Sequence, residues 1–326
     1  MGFLHEQTVP SCSPDGGVTH SQPTPAREKA QNIESLQSEE RSVDGLPNGK
    51  VGMGRYLELQ ITTNFSFLRG ASHPDEIVEQ AALLGYMTIA ITDRNTVAGV
   101  VRAHVAGKKK GVRVIPGCRL DLLDGPSLLA YPINKNGWAN LCALLSTGNL
   151  RAEKGDCHLY KTDVFQYSQG LHFIVLPPES LNENFQFDPS FVQELLVYKK
   201  AFGDHLSIAI SRRYNGDDGK QLYRLSQLSK QYSIPLVATN DVHYHCAERR
   251  QLQDVLTCIR EKCTIQNAGF RLLPNAERYL KSQQEISRLF LHYPEAIQRS
   301  IEIAEACTFS LDELKYEYPE EITTKG

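Results

Sequence analysis

No apolar run in the 326 residues reaches the roughly 20 residues a membrane-spanning helix needs, so the sequence offers no candidate span. The first residues lack the charged-then-apolar pattern of a secretory signal, and none is expected. The eight cysteines are scattered without a Cys-x-x-Cys pair, so neither a zinc ribbon nor a disulfide framework is implied. They read as reduced thiols of a cytoplasmic protein. Neither a phosphate-cradling P-loop nor a Gly-x-Gly-x-x-Gly dinucleotide fingerprint is present. Strong net charge is also missing. The total is −3, and residues 1–54, with four Lys/Arg against seven Asp/Glu, carry all of it. A neutral remainder argues neither for nor against nucleic acid; only a local patch can.

What is present is a regular alternation of short elements. Residues 1–54 are rich in Ser, Pro, Gly, Gln and Glu and cannot bury enough surface to offset chain entropy, which predicts a disordered tail. Tyr56 to Thr63 alternates apolar and polar residues, as a strand does. Ser72 is placed to cap a helix that opens with Pro74 and two acids and stops at Gly85. A strand from Thr88 ends in Asp93-Arg94-Asn95. A helix from Val97 ends in Lys108-Lys109-Lys110, where cations suit the helix dipole. The strand from Val112 runs on to Cys118-Arg119-Leu120-Asp121. Further strands fall at 127–131, 171–176, 205–210 and 234–238, with helices between them. Roughly seven strands with interleaved helices predict an α/β barrel rather than an open sheet. After His245 only helices are predicted, at 248–262, 275–291 and 294–307. The division is therefore a tail at 1–54, a barrel at 55–246 and a helical segment at 247–326. The segment Glu313 to Glu321 reads as one meant to continue, so the chain is expected to be a fragment or a truncated form.

Chemistry concentrates in Pro235-Leu-Val-Ala-Thr-Asn-Asp241-Val-His243-Tyr-His245. An apolar strand there ends in polar groups, and ligands of α/β folds sit at strand carboxyl ends. Asp241 and His243, two apart, share a face in extended chain. They suit a divalent metal, with His245 as a third donor on that face, or they pair with each other at a barrel mouth. Two ligands do not make a site, so other segments must supply the rest.

Eight segments in order carry a resemblance: LQITTNFSFLRGAS, AITDRNTVAGVVRAH, IPGCRLDL, GNLRAEKG, ATNDVHYH, ERRQLQDVLTCIRE, NAERYLKS and FSLDELKYEYPEE. Together residues 56–321 resemble the amino-terminal region of the bacterial error-prone DNA polymerases, the C-family, polymerase III alpha-like enzymes of damage-induced mutagenesis. The resemblance implies a PHP domain, a distorted seven-stranded β/α barrel followed by a helical region. In active relatives of that fold the barrel mouth binds metal ions through His, Asp, Glu and Cys and hydrolyses phosphoesters, in some cases as a 3'-5' exonuclease. It further implies a polymerase core as partner, DNA, a sliding clamp and mutagenesis accessory proteins, with roles in translesion synthesis, DNA replication and DNA repair.

The metal-binding pattern is largely replaced. Where the resemblance implies a His-x-His pair stand Gln60 and Thr62; an acid before Gly70 is Arg69; Thr-Asp-His is Thr92-Asp93-Arg94; Gly-x-Glu is Gly117-Cys118-Arg119; and a Cys loop is Pro177-Pro178. Asp93, Asp241 and His243 remain as a vestigial site. Arginine has no lone pair to give a metal. A second cation at ~4 Å costs on the order of 4 kcal/mol even at an effective dielectric of 20. Arg69, Arg94 and Arg119 are therefore expected to replace the metal charge and to pair with Asp93 and Asp241, leaving no bound cofactor and a structural barrel. The alternatives are a phosphoesterase using Mn, Zn or Mg at Asp93, Asp241, His243 and His245, and a phosphate-binding module built on the three arginines. Lys108–Lys110 reads as a solvated helix end, and Arg249, Arg250 and Arg260 as contacts toward the polymerase core.

Overall fold

The computed structural model describes residues 56–315; the expected disordered tail at 1–54 and most of Glu313–Glu321 lie outside the described residues. Residues 58–62 form the first stave of a barrel. Glu58 bridges Ile89 and Ile61 bridges Val242, both in parallel. Beside it β1 (Thr88–Ile91) pairs in parallel with β2 (Arg113–Pro116). One residue, Gly117, separates β2 from β3 (Cys118–Leu120), and a bridge between Arg94 and Arg119 carries the β1 pairing past that bend. Gly117 has no room for a side chain: a Cβ there would lie 2.9 Å from the Tyr131 ring.

β4 (Leu128–Pro132) runs antiparallel to β3 and to β5 (Leu171–Val175). Its reversal follows from the short connection after Leu120, because a parallel return needs a crossover of a dozen or more residues. β6 (Leu206–Ile210) and β7 (Leu236–Ala238) complete the order in parallel. The amide of Thr62 donates to Val242 (2.8 Å) and that of Val242 to Gln60 (2.9 Å), which closes the ring. With β2 and β3 taken as one bent stave, the fold is the distorted seven-stranded β/α barrel.

Alternation fills the barrel from one side of every stave. Leu59, Ala90, Ile115, Leu129, Tyr131, Ile174, Ala209 and Val237 form the interior cluster, and Ile303, Ala304 and Cys307 join it from the helix Pro294–Ala306. That helix plugs the amino-terminal end, where Arg113 donates to the carbonyl of Ala304 at 3.0 Å and to that of Cys307. Outward residues such as Ile89, Val114, Phe173 and Ile208 pack under the surrounding helices. Burial of this kind stabilises by about 25 cal/mol per Å² of apolar surface.

Within 247–315 the helices pack on the barrel: one plugs its amino-terminal end, and another, Arg250–Arg260, covers its mouth. The helix predicted over 275–291 shrinks to Gln283–Leu289. Residues before it are extended, with Tyr279 bridging Tyr244 and the Arg278 carbonyl accepting the His243 amide at 2.8 Å. Tertiary pairing overrides helix propensity there. Ser72 is no helix cap either: Glu76 accepts the His73 amide (2.8 Å), while Ser72 bonds His245.

Candidate functional site

The carboxyl ends of the staves converge on one mouth. Asp93, following β1, is fully buried. Its Oδ1 accepts from the Thr63 amide (2.8 Å) and the Ser66 hydroxyl (2.7 Å), and its Oδ2 from the Thr63 hydroxyl (2.8 Å). Burial raises this carboxyl, and the donors from Ser66 and Thr63 counteract it. Among the described residues Asp93 makes no ion pair; it pins the loop after the first stave instead.

Arg94 and Arg119 are brought side by side by their backbone bridge. Both turn to Asp121, Arg94 Nη1 at 2.9 Å from Oδ2 and Arg119 Nε at 2.7 Å from Oδ1, and Ser127 donates to the same carboxylate at 2.8 Å. The expected pairing of these arginines with Asp93 and Asp241 is corrected here. Asp121 lies two residues beyond Arg119 on the same strand face, so it is the nearer anion. Burial, then the Arg119 charge, brings the Arg94 guanidinium down to about 10. Arg69 lies on the mouth wall and, among the described residues, makes no ion pair. Burial and the neighbouring Arg260 charge lower it.

Asp241 is the second buried carboxylate, 2% exposed. Gln60 Nε2 donates to Oδ1 at 2.8 Å, Arg278 Nη1 donates to Oδ2, and Arg213 Nη2 is 3.2 Å from Oδ2. Burial alone would raise its pKa, but the two guanidinium groups outweigh that and hold it well below the usual carboxylate range. Its φ of +49° lies in the left-handed region, which Asp tolerates better than most residues.

Beyond Asp241 the two histidines do not stay together. His243 stays at the mouth, with Nε2 3.4 Å from Asp241 Oδ1 but outside hydrogen-bond geometry, and among the described residues both buried ring nitrogens are without partners. Burial, only partly offset by Asp241, lowers it to about 4, so the ring is neutral at pH 7. His245 leaves the cluster. Its Nδ1 is 2.8 Å from the Ser72 hydroxyl and its amide donates to that same oxygen at 3.0 Å, so it is no third donor beside His243. The period-two argument fails because β7 stops at Ala238.

Several mouth residues were not foreseen. Arg213 and Arg278 are 28 and 37 residues from Asp241, and nothing local in the sequence marks them as its partners. Asp121 carried a visible signal, its two-residue offset from Arg119. The helix Arg250–Arg260 turns its polar side inward: Gln253 and Thr257 are buried and line the mouth with Arg260, while Leu252, Val255 and Ile259 are exposed. Glu58, under the mouth, accepts from the Gln60 amide (2.8 Å), the Asn240 amide (3.1 Å) and the Tyr56 hydroxyl (2.8 Å), and burial raises it to about 7. Elsewhere, Lys108 pairs with Asp312 (2.9 Å) and Lys110 with Glu79 (3.0 Å). Arg249 pairs with Glu76 and Arg250 with Asp254 (2.6 Å).

The donor set does not fit a metal cluster. The Asp93 oxygens are taken by amide and hydroxyl donors, and those of Asp241 by two guanidinium groups and an amide. Among the described residues no three His, Cys, Asp or Glu side chains are arranged to hold a cation. The guanidinium groups that line the mouth have no lone pair to contribute.

Residues 58–212 match the family model of the PHP domain, and this part of the chain is a PHP domain. The chain is 48% identical over 272 residues to the error-prone DNA polymerase of Caulobacter vibrioides, covering 83% of this chain and 25% of that protein. It is 46% identical over 272 residues to error-prone DNA polymerase 1 of Agrobacterium fabrum, covering 83% and 24%. The chain thus spans about a quarter of the length of these curated relatives and matches their amino-terminal part. Among solved structures, an amidohydrolase of Chromobacterium violaceum with bound sulfate and no metal is 14% identical, with a TM-score of 0.45, over 58% of this chain and 87% of that one. No helix among the described residues is long and apolar enough to cross a membrane.

Proposed function

We propose that this chain is the PHP module of a cytoplasmic error-prone DNA polymerase of translesion synthesis and that its barrel is a scaffold without hydrolytic chemistry. One observation carries the reading: the two buried mouth carboxylates are already spoken for, Asp93 by Thr63 and Ser66, Asp241 by Arg278 and Arg213. Arginine charge stands where metal-binding donors are implied by the family pattern. Its pairs with Asp121 and Asp241 keep the mouth in shape. Template-directed synthesis, and contacts to DNA, a sliding clamp and accessory proteins, fall to the polymerase core that the barrel supports.

The test is a nuclease and phosphoesterase assay of the purified chain with excess manganese, using single-stranded DNA and a chromogenic phosphodiester. The expected result is no turnover above a buffer blank. Turnover that Asp241→Asn abolishes would overturn the proposal in favour of a metal-dependent phosphoesterase at Asp93, Asp241 and His243.

A further inference from the structure

The mouth encloses about 130 Å³, and six guanidinium groups line it, from Arg69, Arg94, Arg119, Arg260, Arg271 and Arg278. The carboxylates do not balance them. Arg94 and Arg119 share Asp121, and Arg278 shares Asp241 and Glu179 with Arg213. Among the described residues Arg260 has only the adjacent Glu261 and the Leu68 carbonyl. Among the described residues Arg69 and Arg271 make no ion pair. Like charges held this close repel, which is part of why Arg94 and Arg69 are lowered. Among the described residues, donor-bearing groups buried around the same space also lack partners: the imidazole of His243, with one N–H to give, and Nε of Arg94. Buried polar groups are ordinarily hydrogen-bonded. A cavity that combines surplus cations with unused polar atoms is built for an anion.

Size narrows the class. A water takes about 30 Å³, so the space holds on the order of four, close to the four oxygens of a tetrahedral oxyanion. Pockets that bury drug-sized ligands run from about 300 Å³ upward, so the mouth takes a single phosphoryl group and leaves any attached nucleoside outside. We infer that the mouth is a metal-free receptor for a single phosphoryl group, held by Arg69, Arg260 and Arg271 from above and by Arg94 and His243 from below. Gln253, Thr257, Arg260 and Arg271 all lie beyond residue 212, so the covering segment completes a site that the PHP barrel alone leaves open. The inference rests on the metal-free reading of the mouth. The phosphoryl group has two sources, inorganic phosphate or the terminal phosphate of a nucleic-acid strand.

Titration calorimetry of the whole chain in EDTA, at fixed ionic strength, tests it. Inorganic phosphate is one arm; a 5'-phosphorylated trinucleotide against its 5'-hydroxyl counterpart is the other. Saturable binding of one equivalent is expected in at least one arm, and no binding of the 5'-hydroxyl strand. Binding confined to the phosphorylated strand identifies the strand terminus as the source. Arg69→Gln with Arg271→Gln should weaken binding at least tenfold without lowering the melting temperature in chloride, whereas Lys109→Gln with Lys154→Gln should change neither. No saturable heat in either arm, or equal binding by the Arg69/Arg271 variant, overturns the inference alone. Binding that appears only when manganese replaces EDTA overturns it together with the metal-free reading.

Discussion

Substituting Arg278→Gln strips one guanidinium from a carboxylate that is 2% exposed, while Arg278 itself is 6% exposed. Removing one partner of a buried ion pair costs about 3–5 kcal/mol, because the other charge is left uncompensated. Arg213 and Gln60 still face Asp241, so the lower end applies and the loss is about 3 kcal/mol. In a domain of this size that lowers Tm by roughly 6–12 °C. The second substitution, Asp241→Asn, discriminates. It removes the stranded charge, so Arg278→Gln/Asp241→Asn should recover at least ~1 kcal/mol relative to Arg278→Gln. Arg213 keeps Glu179 at 3.0 Å in that variant. Urea unfolding of wild type, both single variants and the double variant at pH 7.5 gives the cycle. Acid adds a signature. The Asp241 pKa is depressed in the fold, so its contribution is present above the ordinary carboxylate range and fades as pH falls through the folded value. The gap between wild type and Arg278→Gln should narrow below about pH 4. A single-variant loss under ~1 kcal/mol, or a double variant no more stable than Arg278→Gln, would refute the assignment of Arg278 as the charge partner.

Glu58 works in the opposite sense. Burial raises its folded pKa from 4.5 to about 7, so its contribution is full below pH 4.5 and is lost as pH rises through 7. Glu58→Gln should flatten the fall in wild-type stability between pH 5 and 8, by on the order of 3 kcal/mol, in urea titrations at the two pH values; parallel pH profiles for the two proteins would count against it. Gly99→Ala should destabilise by about 2 kcal/mol in a thermal melt. A Cβ there would stand 2.5 Å from Asp93 Oδ2 and 3.0 Å from Thr63 Oγ1, in the network that holds the loop after the first stave. An unchanged melting temperature would mean that this network is slack.

The elements that the sequence exposes most clearly are those fixed by local chemistry. Staves ending at Asp93, Arg119 and Asp241 stand out as apolar runs closed by polar residues, and the helix from Pro74 announces itself by its first-turn acids. These local rules suffice to bring Arg69, Arg94, Arg119, Asp241 and His243 to one mouth, since each lies at or just beyond the carboxyl end of a stave. They fail where a contact spans a long stretch of chain. Residues 276–281 satisfy the local conditions for a helix, yet pairing with Tyr244 draws them out straight, and only then does Arg278 reach Asp241. His245 is lost to Ser72, 173 residues away in the chain, whose hydroxyl meets both its ring and its amide. The helix Arg250–Arg260 misleads in another way: its exposed side is apolar and its buried side polar, since it covers a cavity of guanidinium groups rather than a hydrocarbon core.

In this barrel guanidinium groups hold Asp241 and Asp121, and amide and hydroxyl donors hold Asp93, where a metal cluster would need free carboxylate oxygens. Elemental analysis of the purified chain, after equilibration with excess manganese and zinc and removal of free metal, tests it most directly. Far less than one equivalent of either metal per chain is expected, unchanged by Asp241→Asn. Two equivalents in wild type that fall away in Asp241→Asn would contradict it.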